Sequence, residues 1–124
     1  MSPEERPGPL GILDGYFAAA RIAHEYVFDL HRELVELDAA DHHTRELLHE
    51  ATVVVLDRMP ELTRRLRGTE YEWAEQELLD PPAAKRSIER LDGEVAELVP
   101  ALAALRARQN QIVAELLDRV SRAR

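Results

Sequence analysis

Residues 88–98, Ile-Glu-Arg-Leu-Asp-Gly-Glu-Val-Ala-Glu-Leu, and residues 102–116, Leu-Ala-Ala-Leu-Arg-Ala-Arg-Gln-Asn-Gln-Ile-Val-Ala-Glu-Leu, decide the fold of this chain. Ile88, Leu91, Val95, Leu98, Leu102, Leu105, Gln109, Ile112 and Leu116 follow one another at alternating intervals of three and four. A helix with 3.6 residues per turn gathers such positions on one face, whereas a strand would throw them to both sides. Sustained over this length, the repeat is that of a coiled-coil helix. One seam position is polar, Gln109, in the place where an amide sets register across a dimer axis. Pro100 falls opposite the seam and predicts a kink there.

Working back from this helix, the chain reads as helix throughout. Leu13, Tyr16, Ala20, Ala23, Val27, Leu30, Leu34 and Leu37 make a second seam with the same spacing, in a helix expected to start between Ile12 and Tyr16. Asp38-Ala39-Ala40-Asp41 is the predicted turn, with Asp41 capping the next helix. That helix is expected over 42–67, with its apolar face on Leu47, Leu48, Ala51, Val54, Val55, Met59, Leu62 and Leu66. Pro60 is expected to kink or restart it, and Gly68 to end it. Thr69-Glu70-Tyr71-Glu72 has the spacing of a capping box and predicts a separate short helix to Leu79. Asp80-Pro81-Pro82 stops that helix and starts the last one. The expectation is an all-α chain: an antiparallel helical bundle of three long helices and one short one, with a coiled-coil-like C-terminal helix kinked near Pro100. Residues 1–10, with Pro3, Pro7, Gly8 and Pro9, read as a disordered arm, and 11–124 as one helical-bundle domain.

Composition narrows the function classes. The chain has 124 residues, no cysteine and a formal net charge of -8. The absence of thiols excludes a disulfide framework and a Cys nucleophile, and fits the cytoplasm. The acidic balance opposes a general nucleic-acid binder. No apolar run approaches the ~20 residues of a membrane span, and the first residues lack the apolar core of a signal peptide. Lys85 is the only lysine beside many arginines, a high-GC codon signature that suggests a bacterial source.

Chemistry-bearing residues are few. His31 and His49 face each other in a hairpin that turns at residues 39 and 40, and Glu46 with His49 has the Glu-x-x-His spacing of carboxylate-bridged metal bundles. One reading therefore places Zn or Fe, or a small ligand, on His31, His49 and Glu46 between the first two helices. Glu33 and Glu36 resemble the first Mg²⁺ pair of all-α nucleotide pyrophosphohydrolases of the MazG type. The second pair of that family has its nearest counterpart in Glu77 and Asp80, which fall later and on another helix. No Gly-rich phosphate loop or Ser-His-Asp set is present, so no catalytic residue is assigned. The only Trp, Trp73, sits with Tyr71 amid five acids, a composition suited to a protein contact, although the preferred reading of Trp73 itself is that it closes the end of the bundle with Leu78. The preferred expectation is a non-enzymatic interaction protein, a regulator, adaptor or assembly factor. It would form a homodimer through the C-terminal helix, with Trp73, Tyr71, Gln109, Leu102, Leu105 and Ile112 as contact residues. The ligand- or metal-binding bundle is the alternative.

Overall fold

The computed structural model describes residues 9–124, without the side chains of 9, 10, 12 and 13, and among these residues it is helical with no strand. Helix α1 spans Pro9–Glu36, α2 His42–Val53 and α3 Met59–Leu79; a π-helical turn, Val54–Arg58, joins α2 to α3, and α4 spans Pro81–Ala123. Because the π turn does not interrupt the rod, α2 and α3 act as one unit. There are three rods, not three long helices and a fourth short one.

The first helix starts earlier than expected. Pro9 and Leu10, where the described residues begin, are already helical. The rest of the expected arm and the side chain of Leu13 lie outside the described residues. The other end of α1 closes on Asp38, whose φ of 55° is left-handed. Asp38 donates its N–H to the Val35 carbonyl at 3.0 Å, and Ala39 donates to Leu34 at 2.8 Å, the two bonds of a Schellman motif. Asp41 then caps α2 as expected. Its carboxylate accepts the Thr44 N–H at 2.8 Å, and the Thr44 hydroxyl accepts the Asp41 N–H at 3.0 Å.

The expected stop at Gly68 is overturned. Gly68 continues the helix, and the Thr69 hydroxyl serves no cap. It donates back to the Arg65 carbonyl and reaches Glu94 on α4, both at 3.3 Å. Thr69 is buried at the contact between the two rods, so tertiary packing overrides the local capping signal. Pro60 acts differently from a simple kink. Proline has no N–H for the helical ladder, and the turn just before it widens so that Met59 donates to Val54, five residues back. Pro100 does not break α4; it is exposed, and so is Ala96, whose carbonyl loses its ladder partner.

The seam of α4 is the spine of the core. Leu91, Leu98 and Leu102 pack with Ala20, Val54, Val55, Met59 and Leu66 in one apolar cluster. Ile112, Leu116 and Val120 pack with Val27, Leu30, Leu34, Leu47 and Ala51 in a second. Each buried Leu or Val contributes about 1.5–3 kcal/mol. Between the clusters in the order of the seam lies Gln109, 0 % exposed. It donates to the Ala20 carbonyl at 3.3 Å and accepts from Arg106 at 2.7 Å. Its partners are thus in its own chain, and the same holds for buried Leu102 and Ile112.

Cross-rod contacts fix the register. His24 meets Thr52, and Asp14 meets Arg67 at 3.1 Å. Arg108 meets Glu50, Arg90 meets Glu72, and Ser87 donates to Gln76 at 2.6 Å. In each pairing of α1 or α4 with the middle rod, partners step up on one side as they step down on the other.

Replacing Pro100 with Ala restores a helical N–H at an exposed site with no packing to lose. We expect Pro100→Ala to stabilise the fold by about 2 kcal/mol, the helix-interior cost of proline less its restriction of the unfolded chain. Urea unfolding checks this: the midpoint rises while the slope stays constant.

Candidate functional site

The unequal lengths of the rods create the first candidate surface. Helix α1 has 28 residues and is ~42 Å long, whereas α4 has 43 and is ~65 Å. Asp14 is level with Arg67, so α1 begins level with about Glu72. The end of α3 and the start of α4 project beyond it as a two-helix arm of about two turns each.

The arm is thinly built. Its inner seam sets Gln76 of α3 against Ala84 and Ser87 of α4, so much of it is small or polar. Yet Leu78 is 88 % exposed, Leu79 79 % and Tyr71 73 %, with Ile88 also outward. Trp73 is half-buried. Of the predicted contact residues, Tyr71 and Trp73 belong to this arm. Leu102, Gln109 and Ile112 are in the core, and Leu105 is half-buried beside it.

A second surface was not foreseen. Beside the π turn an open groove runs between the middle rod and α4, lined by His49, Glu50, Val53, Val54, Arg58, Ala104, Leu105 and Arg108. It continues along α3 past Glu61, Leu62, Arg65 and Ala101. The widened turn leaves Leu56, Asp57 and Arg58 consecutively exposed, and Ala101 and Ala104 are too small to fill the opposite bank. The sequence signal was there in the β-branched run before Pro60 and the small residues after Pro100, but it named no groove. Arg108 grips Glu50 with Nε and Nη2, the latter at 3.0 Å. This hydrogen bond is the main reason the Glu50 carboxyl titrates below its ordinary 4.5; the charges of Arg108 and Arg58 add to it against the cost of burial.

The predicted His/Glu cluster is not assembled. His31 shares a small cavity with Val35, Asp38, Ala40 and Arg45, whereas His49 lines the groove with Arg58 and Arg108. Glu46 is exposed and pairs with His42 at 3.0 Å. The cause is the turn. It centres on the left-handed Asp38 and not on residues 39 and 40, which slides the facing helices by about one helical turn and sets His31 beside Arg45. The buried His31 Nε2 has no hydrogen-bond partner among the described residues. Among the described residues no group of three or more His, Asp or Glu is placed to hold a metal ion. Of the remaining histidines, His24 donates to the Thr52 hydroxyl at 3.0 Å, which itself donates to Leu48, and His43 pairs with Glu115 at 2.7 Å. Glu33 is bound by Arg124, and Glu36 lies with it, Asp29 and Arg32 on an open face of α1, away from Glu77 and Asp80.

No helix among the described residues is long and apolar enough to cross a membrane. Compared with protein-family models, with curated proteins and with solved structures, the chain finds no match.

Glu50 and Glu115 both titrate below 4.5 in the folded chain, Glu115 chiefly through the hydrogen bond from His43. A depressed folded pKa gives stability that is complete above the unfolded value and is lost as pH falls through the folded one. Thermal unfolding followed by circular dichroism is expected to show stability falling below about pH 4.5. Glu50→Gln combined with Glu115→Gln should flatten that acid limb and lower the plateau near neutrality.

Proposed function

We propose that this protein is a non-enzymatic helical interaction protein that acts by self-association, in the role of a regulator, adaptor or assembly factor. One observation carries the reading: the arm beyond α1 exposes Tyr71, Leu78 and Leu79 on a pair of helices whose own seam is largely small or polar. Singly exposed apolar residues are ordinary, but several on one thin projection mark a contact surface. Tyr and Trp are the side chains such surfaces favour. The C-terminal helix contributes its first turns, through Ile88, and not the seam of Leu102, Gln109 and Ile112, which is occupied within the chain.

The charge of -8 supports a protein partner over nucleic acid. A cytoplasmic setting agrees with the lack of cysteine. Among the described residues the histidines and carboxylates are dispersed, and no group of three or more is placed to hold a metal ion.

Native mass spectrometry of the untagged protein tests the proposal. The expected result is a dimer with no extra mass, converted to monomer by Leu78→Glu with Leu79→Glu while helical content is retained. A monomer carrying a metal or small molecule would overturn the reading.

A further inference from the structure

Among the described residues nothing near Gly68 requires a glycine, as is also true of Gly15 and Gly93, but only Gly68 lies where a stripe of charge changes sign. It sits in the interior of α3 with ordinary right-handed geometry, and a Cβ built there would meet nothing within 4 Å. Glycine at such a site costs a helix ~1 kcal/mol relative to alanine. Among the described residues neither a turn nor a close approach requires it.

The residues around it form a pattern. Arg58, Arg65, Gly68, Glu72, Glu75 and Leu79 recur at helical spacing on one side of the rod, and all but the half-buried Glu72 are exposed. The stripe is basic before the glycine and acidic after it. Such a face is complementary to itself when turned end for end. Among the described residues, neither Arg58 nor Arg65 has a carboxylate within salt-bridge distance, and Glu75 has no cationic partner; Glu72 holds Arg90.

We propose that α3 is a dimer interface in which two copies pack antiparallel about a two-fold axis beside Gly68. This pairing rests on the self-association proposed above and gives it a geometry. It sets Arg65 of one copy level with Glu72 of the other, Leu62 level with Glu75, and Arg58 level with Leu79. Glu75 then falls between two guanidiniums. Leu79 of each copy enters the other's groove over Ala101 and Ala104, which is open and apolar there. The bare Gly68 backbone lets the rods approach closely at the crossing, which a side chain would prevent. The contact is isologous and closes after two copies, so it makes a dimer and not a filament. Glu61 is the one acid on the basic half of the groove, and it comes level with neutral Gln76.

The absence of cysteine makes a direct test simple. Arg65→Cys with Glu72→Cys in one chain should give a covalent dimer under mild oxidation. The two sites are about 10.5 Å apart along one helix, too far for a bridge within the chain. Arg58→Glu with Arg65→Glu should turn the dimer into monomer, as should Glu72→Arg with Glu75→Arg, and all four changes together should restore the dimer. Gly68→Gln should leave the helix at least as stable and weaken dimerisation at least tenfold by sedimentation. If Leu78→Glu with Leu79→Glu gives a monomer but neither charge reversal nor Gly68→Gln does, this interface is wrong and the wider reading survives. If the unaltered protein is a monomer at all accessible concentrations, both fail.

Discussion

A helix of 28 residues cannot cover one of 43, and the architecture follows from that mismatch. Where α1 is present, the seam of α4 has neighbours on both sides, and Leu91, Leu98, Leu102, Ile112, Leu116 and Val120 are buried. Beyond the described part of α1, the same helix has only α3 beside it among the described residues. The seam there changes to Ala84 and Ser87, facing Gln76, as if the chain had less apolar surface to hide. The stability of the arm thus comes from the bundle at its base. Short two-helix contacts of this composition bury too little to stand alone.

Within the bundle a polar layer divides the core. Gln109 is fully buried and engages both ends of its amide, on Ala20 and Arg106. On the other side of α1, His24 and Thr52 join in the same zone. A buried amide fixes alignment because any slip leaves it unsatisfied. The seam position that suggests register between two chains therefore sets register between helices of one chain. At the periphery the turn is held by overlapping bonds: the Schellman pair at Asp38, the cap at Asp41, and Arg119 on the second Asp41 oxygen at 3.0 Å.

Much of this was legible in the sequence. The 3–4 spacing named the helical faces correctly, because burying one face stabilises each helix more than its local propensities do. Asp41 and the double proline after Asp80 were readable because their effects are local. One failure came where a tertiary contact outweighs local signals. Gly68 and Thr69 look like an end and a beginning, yet a contact with Glu94 carries the helix through them. Placing the turn at residues 39 and 40, not at Asp38, brought His31 level with His49, whereas the true turn sets them a full helical turn apart, enough to undo a ligand set that spacing alone had suggested. The groove was illegible for another reason: it arises from a widened turn on one rod facing small residues on another, and no single segment contains it.

The distribution of charge bears on what so acidic a chain does with its surface. Between Gly68 and Pro81 there are five acids and no base, whereas the thirteen residues from Leu56 to Gly68 hold four arginines and two acids. A chain selected only for solubility would mix the signs along a helix, as the i,i+4 pairs at the end of α4 do. Segregating them on one rod gives that rod a direction, basic at one end and acidic at the other. Like ends repel and unlike ends attract, so two such rods are steered toward an antiparallel approach before any side chain touches. Charges at the rim add little to affinity, and exposed leucines alone specify no orientation. The apolar residues of the arm supply the gain on contact, and the segregated charge decides which way round the contact is made.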